Sequence, residues 1–377
     1  MQEEIIIVGG GLAGLGCAKR LHEAGKKFKL ISENIGGRIK VSPDGKVNYG
    51  AYYITADCKN ILPYMRKIER MKFREMYFHK NGKRYLLFSP RIIKHLPAYI
   101  KLLWDVTIFR KHFNKSRGLA TEKSRQELIE ADPFLKKYYH QKAGEYIRDR
   151  KLESLMEEYL SQILWGEYFI DSEEMPTFVF MQCLIPLIVP VYAFELDFKN
   201  IYKDFEEGLI KDSVTKVEKQ NGKFTLNTKT GSIYTCDKLV LATPMNITNG
   251  LVPPQPIKNG IDVSFFHVHG QIKPAYNTTG YNFFPVSIQA ALSKENDGTF
   301  LYFYTGENKI DKYFDNYEVI TKGEWKPALF LLGDRYLNLN PEPNLFLAND
   351  HDVASTEDAF INGMYTAKLV LDNKLHP

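Results

Sequence analysis

Apolar residues follow two rhythms along the first 38 positions. Residues 5–8, Ile-Ile-Ile-Val, are a short β-branched run of the kind buried on both faces of a parallel sheet. From Leu15 to Ala24 the spacing becomes helical, with apolar and small residues recurring on one side. A second strand-like run fills 28–31, with Glu33 just past its end. The opening therefore predicts strand, helix, strand.

Downstream, residues 40–47 predict a hairpin turning at Pro43-Asp44-Gly45, and 61–76 an amphipathic helix. Residues 78–88 carry the Asn81-Gly82 hairpin signal. Residues 122–166 are helical in pattern. The apolar stretch 176–194 contains Pro186 and Pro190, so it is not one regular helix; it is either buried core or the lining of a substrate tunnel. Short strands are expected at 213–219, 223–228, 232–235 and 238–242, and the β-formers of 261–304 read as a second sheet. His267 and His269 lie two apart on one predicted strand face, as half-buried histidines rather than a metal pair. A last strand at 345–348 precedes a helix opened by Ser355, a good N-cap with Asp358 three residues on.

The 377 residues, 44% hydrophobic and 25% charged, are ample for a large core and for two or three interleaved domains. A net charge of +5 is too mild to argue for nucleic acid as a partner. The four cysteines (Cys17, Cys58, Cys183, Cys236) show no CxxC and no metal spacing, so no metal is expected. With a charged strand start directly after Met1 and no secretory pattern, the expected compartment is cytoplasmic. No run is long enough to span a membrane. Residues 90–115 mix apolar positions with eight Lys, Arg or His, with Pro97 interrupting the stripe. They read either as a helix with a solvated basic face or as a peripheral membrane contact.

The chemistry starts at Gly9-x-Gly11-x-x-Gly14, placed after a strand and opening a helix, with an acid about 20 residues on. Gly9 serves the tight turn, Gly11 lets backbone approach a pyrophosphate, and Gly14 lets helix and strand pack closely. Leu12 and Ala13 begin the helix whose N-terminal N–H groups attract phosphate. Gly36-Gly37-Arg38 follow the second strand and offer further donors to the same anion.

On these residues the chain resembles the FAD-dependent amine oxidase and phytoene desaturase superfamily. The resemblance covers residues 1–55, 205–250 and 325–372, about half the chain. It implies an α/β fold: a Rossmann-like FAD-binding domain, a parallel sheet with a small antiparallel meander, interleaved with an α+β substrate domain. The FAD-binding domain takes 1–60, 200–260 and 325–377; the substrate domain, with its helical part, takes 61–199 and 261–324.

By the same resemblance Glu33, or Ser32 at the usual acid position, binds the adenosine ribose, and Gly36-Gly37-Arg38 lie along the diphosphate. Gly50-Ala51-Tyr52 pass beside the flavin, with Asn48 in place of the usual acid. Val214 offers backbone to the adenine, and Thr243-Pro244 end a strand near the cofactor. Asp350 matches the ribityl-binding carboxylate, Asn349 replacing a glycine before it. Thr356 and Glu357 place N–H groups toward the flavin N1/C2 carbonyl, with Asp358 where the family has glycine.

The implied protein is an FAD-dependent oxidoreductase whose flavin takes a hydride from a C–H bond of an amine or similar small substrate. A desaturase or isomerase of a lipid-like polyene, or a non-catalytic FAD-binding protein, are the alternatives. No motif fixes a catalytic residue; Lys273, Tyr302 and Trp325 are the candidates by position.

Overall fold

A computed structural model describes residues 2–51, 53–71, 75–256, 260–330, 336–348 and 355–373. The opening run becomes β1 (Gln2–Gly10), the centre of a seven-stranded sheet with β2 (Lys29–Ile35), β8 (Leu209–Ile210), β9 (Val214–Gln220), β10 (Lys223–Thr228), β11 (Ile233–Leu241) and β17 (Leu345–Leu347). β1, β2, β8, β11 and β17 run parallel, while β9 and β10 are an antiparallel meander on β11. Side chains alternate as strand geometry demands. Ile5 and Ile7 face a core built with α1 (Leu12–Glu23) and α11 (Thr356–Asp372), whereas Ile6 and Val8 join Phe224, Leu226 and Leu239 on the other side.

The two runs expected at 232–235 and 238–242 are a single strand, β11. Its first half pairs with β10 and its second half with β17, both beside β1. Asp237-Lys238 look like a break in the sequence, yet Lys238 is buried and its Nζ donates to the carbonyls of Val370 (3.0 Å) and Asn373 (2.6 Å). A strand lysine thus caps the C-terminal end of α11, where cations are favoured.

The second sheet runs β16 (Phe314–Phe330), β12 (Gly260–Ile272), β15 (Phe300–Tyr304), β14 (Ala290–Lys294), β13 (Tyr281–Phe283), β5 (Met76–Lys80), β6 (Lys83–Leu86). β5 and β6 are the hairpin at Asn81-Gly82. β16 spans residues whose frequent charges hide its alternation in the sequence. Pairing with β16 shifts by one residue at His267/Val268, and along β12 His267 is buried whereas His269 is exposed. His267 is held between the Tyr49 hydroxyl (2.9 Å) and the Thr299 hydroxyl (2.7 Å).

A small third sheet joins β3 (Tyr53–Thr55), β7 (Val191–Leu196) and β4 (Met65–Arg70). Among the described residues the helix expected at 61–76 does not form: a 3-10 turn, Leu62–Tyr64, leads into β4 (Met65–Arg70). Pairing with β7 overrides the local helical spacing.

Helices fill residues 96–184: α2 (Leu96–Arg117), α3 (Arg125–Glu130), α4 (Pro133–His140), α5 (Ala143–Arg150), α6 (Glu153–Leu155), α7 (Ser161–Tyr168) and α8 (Thr177–Leu184). Two shorter ones, α9 (Phe198–Tyr202) and α10 (Met245–Leu251), lie between strands. Pro97 does not interrupt α2, because it occupies the first turn, where its missing N–H is harmless. Leu102, Val106, Phe109 and Phe113 bury one face of α2. The opposite face exposes Leu96, Ile100 (64%) and Trp104 (67%), continuing a row begun by Phe88 and Ile93. Lys94, Lys111 and Lys115 are exposed in the same segment, whose sole carboxylate, Asp105, is buried against Arg150 and Tyr146.

α1 and α11 cross in backbone contact. A Cβ on Gly16 would stand 2.3 Å from the Phe360 carbonyl oxygen, and one on Gly363 would stand 1.9 Å from that of Ala13. Gly363→Ala should therefore destabilise the protein by about 1–3 kcal/mol despite alanine's better helix propensity, read as a lower melting midpoint. A midpoint equal to or above wild type would refute the crossing.

Candidate functional site

A cavity of about 770 Å³ runs from the C-terminal ends of the parallel strands to the second sheet. That is where open α/β sheets place ligands. Gly9 stands at its near end with φ 109°, and its would-be Cβ lies 2.7 Å from the Ala242 carbonyl oxygen. Gly14 is set back from the cavity and lets α1 approach the Gly9 carbonyl. Nothing but the Gly37 Cα, at 3.9 Å, crowds the would-be Cβ of Gly11, so its backbone borders open space.

Of the residues singled out from the sequence, Gly9, Gly11, Leu12, Ala13, Ser32, Glu33, Gly36, Gly37 and Arg38 line this cavity. Gly50, Ala51, Val214, Thr243, Pro244, Thr356 and Trp325 line it too. Ser32 is engaged in bracing the turn: its Oγ accepts from the Gly10 N–H (2.9 Å) and donates to the Asn34 carbonyl (2.7 Å). Glu33 is exposed and meets Lys229 at 3.2 Å. The Arg38 guanidinium donates to the Ala328 carbonyl (2.8 Å), and burial pushes it down to about 10. Gly50 is required by protein rather than by a ligand, because a Cβ there would meet the Arg38 carbonyl oxygen at 1.8 Å.

Two expectations fail on position, those at Lys273 and Tyr302. Lys273 lies just past the end of β12 and outside the cavity lining, its Nζ donating to the carbonyls of Asp311 (2.8 Å) and Lys312 (3.2 Å). Tyr302 is sealed in a separate aromatic cluster with Phe300 and Tyr313. Glu357 turns its carboxylate behind the helix end, where it accepts from the N–H groups of Asn60 (2.9 Å) and Ile61 (3.0 Å). Tyr52, Asn349 and Asp350 lie outside the described residues.

The helical region adds side chains that no motif announced: Arg117 from α2, Glu167 and Tyr168 from α7, and Gln182 from α8. With Val179, Ile185 and Pro186 also on the wall, the broken apolar stretch is at once core and cavity lining. Around Glu167 the cavity is aromatic: Tyr168, Phe169, Phe283, Phe303 and Trp325. The Tyr53 hydroxyl donates to Glu167 Oε2 (3.1 Å) and lies 3.3 Å from the Tyr168 hydroxyl. Burial pushes the Glu167 carboxyl up to about 8, against the smaller, opposing effect of Tyr53. Glu295, at the same end, is also raised by burial and accepts from the Ser293 hydroxyl (2.7 Å). Burial thus raises both carboxyls, and an arriving cation would favour their ionised forms.

Asp358 sits at the N-terminus of α11, capped by Ser355, whose Oγ accepts from the Asp358 N–H (3.1 Å). Arg117 grips its carboxylate through Nε (2.8 Å) and Nη2 (3.1 Å), and Gln182 Nε2 donates to it at 2.6 Å. This ion pair overcomes burial and holds the Asp358 carboxyl below the usual range. The acid that stands where the resemblance has glycine is thus compensated by Arg117 and Gln182. The one hint in the sequence was an acid at a capping position with no cation nearby in the chain.

A family model described as flavin containing amine oxidoreductase matches residues 12–268. No curated protein matches the sequence. A double mutant of putrescine oxidase from a redesign of cofactor binding superimposes with a TM-score of 0.70 at 13% identity, covering 99% of both chains. A protein from Exiguobacterium sp., provisionally named protoporphyrinogen oxidase, gives 0.66 at 13% identity over 99% of both chains. Cyclohexylamine oxidase from Brevibacterium oxydans gives 0.62 at 13% identity, over 98% of this chain and 99% of the other. At such identities the shared property is the fold.

Tyr53→Phe removes a donor that favours ionised Glu167, so the carboxyl should titrate still higher than about 8. Infrared titration of the protonated carboxyl band reads this directly; an unchanged or lower midpoint would contradict the geometry.

Proposed function

The chain belongs to the flavin-containing amine oxidoreductase family, an FAD-dependent enzyme, and from that membership we propose that it oxidises a cationic amine with an apolar body. The observation carrying this reading is Glu167, a carboxyl enclosed by aromatic side chains at the cavity end away from the glycine turn. Glu295 supports it, because a second buried carboxyl gives an ammonium group another partner whose ionisation its arrival would favour.

The residues fit FAD. Open backbone at Gly11, the N-terminal N–H groups of α1 and the Arg38 guanidinium suit a diphosphate. Glu33, rather than the engaged Ser32, suits the ribose, and Val214 and Thr243-Pro244 flank the adenosine end. Bound FAD supplies a hydride acceptor. The amine must give up its ammonium proton before its C–H bond becomes a good hydride donor. Glu167 is the group to hold the ammonium and take that proton, with Tyr53 steadying its carboxylate. Phe169, Phe283 and Phe303 exclude water and seat the apolar body. Trp325, fixed by its indole N–H to the Tyr49 carbonyl (3.3 Å), bounds the chamber.

A lipid-like polyene is the second reading, favoured by Val179, Ile185 and Pro186 on the cavity wall. Anaerobic mixing distinguishes them: amines should bleach the oxidised flavin band and polyenes should not. Because Glu167 is neutral below about 8 and ionised above it, amine affinity should rise with pH toward 8 and then level. Glu167→Gln should abolish that pH dependence and raise the half-bleaching amine concentration about tenfold or more, at unchanged FAD content. An unaltered pH profile in that variant would remove Glu167 from the reaction.

We further propose that the row Phe88, Ile93, Leu96, Ile100 and Trp104 rests on an anionic membrane surface. Five exposed apolar side chains beside Lys94, Lys111 and Lys115, with no exposed carboxylate from 88 to 117, support it. The protein should cosediment with phosphatidylglycerol-containing vesicles, less so at high salt, and Ile100→Glu with Trp104→Glu should abolish this. Equal sedimentation of the variant would discard the idea.

A further inference from the structure

Gln182 is 92% buried on α8, and its amide orientation is decided by chemistry. The Asp358 carboxylate, held ionised by Arg117, can only accept, so the Gln182 NH₂ must point at it. The amide oxygen is thereby turned the other way, where among the described residues it has no hydrogen-bond partner. Gln182 and Arg117 both line the cavity, beside Ser355 and Thr356 at the α11 N-terminus. A buried acceptor left open destabilises the protein unless a ligand N–H meets it.

We propose that Gln182 recognises the pyrimidine edge of the flavin by accepting its N3–H, the one N–H of the oxidised ring system, in an orientation fixed by Asp358 and Arg117. This rests on FAD occupying the cavity with its pyrimidine edge toward α11. The alternative donor, a substrate ammonium, would make Gln182 a substrate residue and is separated by the test. Asp358 and Arg117 are positioning residues: neither carboxylate nor guanidinium needs to touch N3 for Gln182 to be aimed. The arrangement depends on an aspartate at 358, and a glycine there would leave the amide without an anchor.

The experiment compares FAD with 3-methyl-FAD, in which N3 has no hydrogen, on the apoprotein of wild type and of Gln182→Met, a change that keeps bulk and removes the acceptor. Wild type should prefer FAD by about tenfold or more, and the variant's preference should shrink several-fold, since only the hydrogen-bonded part is lost. Equal preferences in the two proteins, or a change in amine affinity with FAD affinity unmoved, overturn the proposal while leaving FAD binding intact. Failure of wild type to take up FAD at all overturns both. The N3–H proton resonance of flavin in the wild-type holoprotein gives a readout independent of the variant's folding: slow solvent exchange is expected, and rapid exchange refutes the bond.

Discussion

Two helices from opposite ends of the described chain cross with their backbones in contact, and the site exists because they can. Gly16 against the Phe360 carbonyl and Gly363 against that of Ala13 leave no room for a side chain. The crossing sets the N-termini of α1 and α11 on one cavity wall, through Leu12 and Ala13 on one side and Ser355, Thr356 and Ala359 on the other. Each terminus brings unpaired N–H groups and partial positive charge, so the wall suits a ligand with anionic or electron-rich groups along its length. Ties at both ends of α11 keep it in place: Glu357 grips the N–H groups of Asn60 and Ile61, and Lys238 caps the far end.

Three carboxylates near the cavity meet the same desolvation and end differently. Asp358 gains a bidentate guanidinium and stays ionised. Glu357 has only neutral donors, which do not offset burial, so its carboxyl is raised. Glu167 has one phenol and is raised to about 8. An opposite charge within about 3 Å outweighs burial where one or several neutral hydrogen bonds do not. Of the two raised acids, Glu167 lines the cavity, whereas Glu357 does not.

The nucleotide end was legible in the sequence because its requirements are local. Gly9, Gly11, Gly14 and the run at residues 5–8 declare strand, turn and helix within a few positions, and the final helix announces itself at Ser355. Where distant pairing decides, the sequence was silent or misleading. β4 carries helical spacing but pairs with β7, and of two histidines read as alike, His267 is buried and His269 exposed. Lys273 has the right chemistry but is tied past the end of β12 to the Asp311 and Lys312 carbonyls, and Glu167, Arg117 and Gln182 come from helices with no motif. The partner of Asp358 is 241 residues away, and nothing short of the fold picks Arg117 out of 50 basic side chains.

The capped helix α11 also orders events in time. Residues 356–372 leave the ribosome after every other element described, yet they cover the small-residue face of α1 and supply the anion that Arg117 and Gln182 await. Until that segment emerges, the nascent polypeptide has a half-built binding wall and an unsatisfied guanidinium beside it. Tight capture of a dinucleotide therefore waits on α11, because only then is the second half of the wall in place.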